Sequence, residues 1–118
     1  MKIYDSELKV LNVLWDNGQM KAADIAKCLN TEIGWNKNTT YTVIKRCVEK
    51  KLVTRMDPGY LCNAAISKRK AANSEIRMIL ENYFDGSIVR FFLTLLDMRP
   101  LSKSEAKEMK RMLKNRGA

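Results

Sequence analysis

No histidine occurs among the 118 residues of the chain. That absence removes the side chain most often used as a general base near neutral pH, and a common nitrogen ligand for zinc or copper. There is no Gly-rich phosphate loop, and neither a Ser/His nor a Cys/His pair can be assembled, so an enzyme is a poor reading. Cysteine is sparse: Cys28, Cys47 and Cys62 are an odd number at spacings of 19 and 15, which fits neither a disulfide framework nor a CxxC-type zinc site. Each reads as a reduced, mostly buried small hydrophobe, and no cofactor or metal is expected. No apolar run nears the roughly 20 residues that span a bilayer. The opening Met1-Lys2-Ile3-Tyr4-Asp5 lacks the apolar core of a signal peptide, so a cytoplasmic protein with no membrane insertion is expected.

What the chain has in excess is positive charge. Twenty-two basic residues against 13 acidic ones leave +9, an imbalance that favours a polyanionic partner, nucleic acid first among them. Residues 36 to 55 hold Lys37, Lys45, Arg46, Lys50, Lys51 and Arg55 against Glu49 alone. A merely solvated basic face is the competing explanation, so the shape of this segment decides between them.

Leu8, Leu11, Leu14 and Trp15 fall on one helical stripe between Asp5 and Trp15, closed by Asn17-Gly18. A second helix fits Lys21 to Leu29, where Ala22, Ile25, Ala26 and Leu29 repeat at the same period and Asn30 offers a stop. Residues 36 to 51 open with capping-type residues and carry Val43, Ile44, Cys47 and Val48 on one side of a third helix. Its other face offers Asn38, Thr39, Thr42, Lys45 and Arg46, short hydrogen-bonding groups beside long cations. An inert solvated helix would more often carry Glu/Lys pairs and avoid threonine. Two β-prone runs, Leu52 to Arg55 and Tyr60 to Asn63, flank Met56-Asp57-Pro58-Gly59 and read as a hairpin. Three helices and a small hairpin are the order of a winged helix, whose third helix enters the major groove while the hairpin rests on the backbone or minor groove.

Residues 67 to 118 read as three more helices. The first runs from about Lys68 to Phe84, the second from Ser87 to about Met98 before Pro100, and the last opens on the capping box Ser102-Lys103-Ser104-Glu105. The middle one, Ile88 to Leu96, is apolar almost all round, which in a helix means burial on most faces. A unit of about fifty residues cannot supply that burial alone. A second copy of the chain would supply it; packing back onto its own winged helix is the alternative. The expected architecture is therefore mainly α, with a winged-helix DNA-binding domain over 1–66 and a helical dimerisation domain over 67–118.

The residues also resemble a known family, the penicillinase and methicillin-resistance repressors of the BlaI/MecI type, with their copper-responsive relatives. The resemblance spans nearly the whole chain. It rests on Asp5-Ser6-Glu7-Leu8-Lys9-Val10-Leu11 with Trp15, on Ala23-Asp24-Ile25-Ala26, and above all on the run from Trp35 to Arg46. The Phe84-Asp85-Gly86-Ser87 corner and Leu101-Ser102 also fit. The resemblance implies a homodimer on a two-fold symmetric double-stranded DNA operator, repressing genes of a β-lactam-resistance or cell-envelope-stress system. Matching positions imply Asn38, Thr39, Thr42 and Arg46 as DNA contacts; Lys37 and Lys45 join them on charge, with Arg55 and Tyr60 at the hairpin. Phe84, Ile88, Phe91, Phe92, Leu95, Leu96, Met109 and Leu113 are expected at the dimer interface. Family induction often follows cleavage at an Asn-Phe bond, triggered by a membrane-bound sensor protease; here the corresponding pair is Thr94-Leu95. The tail from Met109 to Ala118 has no cysteine, unlike the metal-binding tail of the copper-responsive branch, so metal sensing is not expected.

Two rival readings use the same fold. A winged helix that binds protein should show apolar anchors on its third helix, and Asn38, Thr39, Thr42, Lys45 and Arg46 are hydrophilic. A basic architectural protein would bind random DNA almost as tightly as any operator.

Overall fold

The computed structural model describes residues 2–117. The elements run α1 (Asp5–Asn17), β1 (Met20–Lys21), α2 (Ala22–Ile33), α3 (Lys37–Glu49), β2 (Val53–Met56), β3 (Leu61–Ala64), α4 (Lys68–Tyr83), α5 (Ile88–Met98) and α6 (Lys103–Asn115). The architecture is the mainly helical winged helix that the element order predicts. One strand was not legible: β1, two residues long, pairs antiparallel with β3 and gives a three-stranded sheet of order β1-β3-β2. In that sheet Arg55 lies opposite Cys62 and Met56 opposite Leu61, which fixes the hairpin register.

Local chemistry accounts for the helix ends. The Asn36 side chain caps α3 by accepting from the Thr39 amide at 2.8 Å, and Ser87 caps α5 by accepting from the Arg90 amide at 3.1 Å. Ser102 and Glu105 form the reciprocal capping box expected at α6. Helix α2 outruns its expected stop by a turn. Asn30 is not the terminator; its amide side chain donates to the Trp35 carbonyl at 3.0 Å, and the helix ends at Gly34, whose φ of 72° is open to glycine at little cost.

The chain forms two compact units, one up to Ile76 and one from Arg77 onward. The division falls inside α4, ten residues beyond the break read from the sequence. The core of the first unit shows why: Ala71 of α4 is buried in it beside Ile3, Leu11, Leu14, Ile25, Leu29, Ile44, Leu52 and Val53. Trp15 pins the segment after the hairpin, its indole N–H donating to the Ile66 carbonyl at 2.9 Å. On α1 the buried residues are Glu7, Val10, Leu11, Val13 and Leu14, while Leu8 and Trp15 lie at the core's edge. The inward face is thus rotated from the stripe expected.

In the second unit neither α5 nor α6 has a single buried residue. Phe84 and Phe91 meet edge to face at 5.4 Å, and Arg99 holds Glu105 through two 3.0 Å bonds. That guanidinium, helped by Ser102, pulls the Glu105 carboxyl down to about 2. A broad apolar face is left uncovered by the unit itself: Ile88 is 72% exposed, Val89 68% and Leu93 54%.

The cysteines divide by burial. Cys47 and Cys62 are fully buried and Cys28 partly exposed, and burial pushes the Cys47 thiol up to about 12. The thiolate is the reactive form, so Cys47 is inert unless the fold opens. A thiol reagent at mild alkaline pH should therefore label Cys28 on the order of a hundredfold faster than the other two, and all three alike after unfolding. Equal labelling of three thiols in the native protein would contradict this core.

Candidate nucleic-acid interface

Helix α3 divides into a buried and an open side. Thr40, Val43, Ile44 and Cys47 face the core, and Thr40 places its hydroxyl there without a hydrogen-bond partner among the described residues. Lys37, Asn38, Thr39, Thr42 and Lys45 are all exposed. The first turn of α3 contains no acidic residue, so its free amides and dipole present positive potential next to Lys37. Thr42 donates its hydroxyl to the Asn38 carbonyl at 2.9 Å, which orients the side chain and leaves its oxygen lone pairs outward. The five predicted residues thus form one surface of short polar groups flanked by cations.

The wing is coupled to this surface by a row of rings and cations. The Lys37 ammonium lies 5.7 Å from the centre of the Tyr41 ring, Tyr41 meets Tyr60 edge to face at 5.9 Å, and the Arg55 guanidinium stacks 3.6 Å over Tyr60. Such contacts contribute about 0.5–1 kcal/mol each at exposed sites. Tyr60 has a positive φ of 50°, and its carbonyl accepts from the Ala22 amide at 3.0 Å. Half-buried, with burial pushing its phenol upward, Tyr60 is the junction between wing and helix. Arg55 is exposed at the wing and also bonds Asp57 at 3.3 Å.

Arg46 stands apart from the other predicted contacts. Its Nε donates to Glu7 Oε2 at 3.1 Å and its Nη2 to the Ser6 hydroxyl, so the guanidinium is turned to α1. Lys50 does the same, donating to Glu7 Oε1 and to the Lys2 carbonyl, each at 2.7 Å. The Tyr4 amide adds a third bond to Glu7 at 2.8 Å. Burial alone would raise the Glu7 carboxyl, but the bonds from Lys50, Tyr4 and Arg46 together outweigh it and hold the group below 4.5. Sequence reasoning missed this cluster. The available signal was the spacing of Glu7 with Leu11 and Leu14, which places the carboxylate on the inward face.

The expected interface residues of the second unit lie on neighbouring elements: Phe84 in the α4–α5 turn, Ile88, Phe91, Phe92, Leu95 and Leu96 on α5, and Met109 and Leu113 on α6. Phe92, Met109 and Leu113 line one apolar groove with Ile88, Val89 and Leu93. Thr94 and Leu95 sit within α5, and the Thr94 hydroxyl donates to the Arg90 carbonyl at 3.0 Å. A peptide bond there lies in continuous helix, so a protease would have to unwind α5 to reach it. Among the described residues no group of histidine, cysteine, aspartate or glutamate could hold a metal ion, and no helix is long and apolar enough to cross a membrane.

Comparison with known proteins gives the family and agrees with the fold. The model of the family described as penicillinase repressor matches residues 3–115. A protein of Latilactobacillus sakei, the uncharacterized 16.5 kDa protein in the ptsI 3' region, is 23% identical over 99% of this chain and 82% of its own length. Among solved structures, the DNA-binding domain of the repressor BlaI superposes with a TM-score of 0.53 at 22% identity, covering 58% of this chain and 87% of that one. The Bacillus licheniformis BlaI monomer in complex with the blaP half-operator gives the same TM-score, 0.53, at 22% identity over 59% of this chain and 88% of that one.

Proposed function

Because the chain belongs to the penicillinase repressor family of DNA-binding transcriptional repressors, and is not an enzyme, we propose that it acts as a homodimer on a two-fold symmetric operator, in a β-lactam-resistance or cell-envelope-stress type of system. The observation that carries this reading is the joint exposure of Lys37, Asn38, Thr39, Thr42 and Lys45 on α3, beside the Arg55 wing. Asn38, Thr39 and Thr42 are the base-reading group, with oxygen and amide atoms suited to base edges in a major groove. Lys37, Lys45 and Arg55 neutralise phosphates and set the register on the duplex. BlaI of Bacillus licheniformis, which shares the fold, is known in complex with half-operator DNA. The uncovered apolar face of α5 and α6 joins two subunits, so that two α3 helices meet successive major grooves about 10–12 base pairs apart. Repression follows from occluding the polymerase.

The test is fluorescence anisotropy on a labelled duplex from upstream of the protein's own gene, against a scrambled duplex, across a salt series. Preference for the upstream duplex should be about a thousandfold or more. The log-log salt slope should lie between roughly −5 and −9, as six to ten phosphate contacts per dimer require. Thr42→Ala should weaken operator binding by about 1–3 kcal/mol and leave scrambled DNA unaffected. Equal affinity for both duplexes in the wild type would defeat the operator reading.

A further inference from the structure

Glu7 is wholly buried between α1 and α3, and the two side chains it bonds are cations, Arg46 on α3 and Lys50 at its C-cap. Arg46 and Lys50 stand four residues apart, and both direct their charged ends to Glu7 of α1. Arg46 is further held by Ser6, and Lys50 by the Lys2 carbonyl and by the Tyr4 ring 4.9 Å away. Two of the six basic residues between 36 and 55 therefore have their charged ends held toward α1 and balanced by one carboxylate. An apolar residue at position 7 would also pack α1 on α3, but without directional preference. The Tyr4 amide fixes the carboxylate within α1, and the two directional bonds it accepts from Arg46 and Lys50 hold one rotation of α3 about its axis.

We propose that Glu7 is a positioning residue for DNA recognition: through Arg46 and Lys50 it fixes the roll of α3, and it withholds both charges from the phosphates. Affinity for arbitrary DNA is thereby kept low while the base-reading face stays in register. The specificity half of this statement rests on the operator reading above; the charge half does not.

The test is Glu7→Gln, which keeps the side chain's size and removes its charge, in the same anisotropy series. Scrambled-duplex affinity should rise several-fold, the salt slope should steepen by about 1–2 for each subunit bound, and preference for the upstream duplex should fall about tenfold. A role confined to holding the fold would weaken both duplexes by one factor, or neither, with the slope unchanged; either result overturns the proposal. Should the variant fail to fold, nuclear magnetic resonance of the wild-type chain decides. The Arg46 Nε–H and Glu7 carboxyl signals should keep their positions when either duplex is added, whereas movement of both would mean that Arg46 leaves Glu7 for a phosphate and would overturn the proposal. A wild type without duplex preference defeats the operator reading, while slope and resonance still judge the clamp. A wild type that binds no DNA overturns both.

Discussion

A chain carrying Arg46→Met and Lys50→Met together should lose about 3–5 kcal/mol of folding stability, the cost of leaving a buried charge without its partners. Glu7 cannot turn to water, because its side chain is fully enclosed. The reverse deletion is milder: the Arg46 side chain is 44% exposed and that of Lys50 23%, so both cations can swing out to solvent once the carboxylate is gone. Burial thus makes the pair asymmetric, and the cations matter more to the carboxylate than it does to them.

The same variant should change its response to pH. In the wild type the folded Glu7 carboxyl lies below 4.5, so its contribution is present above about pH 4.5 and is lost as pH falls through the lower folded value. Without the two cations, burial dominates and the folded value rises above the unfolded one. The contribution is then present at low pH and is lost as pH climbs. The stability gap between wild type and variant should therefore widen as pH rises from acid through 4.5 and above. Urea unfolding at several pH values measures it, and a gap that does not vary with pH would show that Glu7 is not the group left stranded.

The second large effect concerns assembly. Ile88→Asp with Leu93→Asp should convert a dimer to monomers without unfolding the chain. The two positions are 72% and 54% exposed, so they have little to lose within a subunit, and an acid at Ile88 falls in the first turn of α5, where the helix dipole favours it. At a two-fold interface each substitution is felt twice. Four lost side chains at about 1.5 kcal/mol each raise the dissociation constant by about ten-thousandfold or more. Sedimentation equilibrium reads the mass and circular dichroism the helix content. A variant that remains dimeric would place the subunit contact elsewhere; a variant that loses its helices would make α5 part of its own subunit's core.

The features legible in the sequence were those written by local chemistry. Asn36, Ser87 and the Ser102–Glu105 box announce helix starts because their side chains satisfy backbone amides a few residues away. The apolar side of α3 and the turn around Asp57-Pro58-Gly59 follow from periodicity and turn preference in the same way. What was missed is set by partners distant in the chain. Strand β1 is two residues with no alternation to detect and exists because β3 pairs with it. Thr40 reads as polar and is buried, and Ala71 joins a core formed mostly by elements before α4, so a helix of unbroken pattern hides the unit boundary. Arg46 is exposed by its position on α3 and turned by Glu7, 39 residues earlier. The charge excess of residues 36 to 55 was legible; that one acid outside the segment balances two of its cations was not.

Whether two subunits read one symmetric operator is decided by hydroxyl-radical footprinting of the wild-type protein on its own upstream DNA. Two equivalent protected patches are expected, centred about 10–12 base pairs apart and related by a two-fold axis, appearing together as protein is added. A single patch, or even protection spreading along the whole fragment, would contradict that reading.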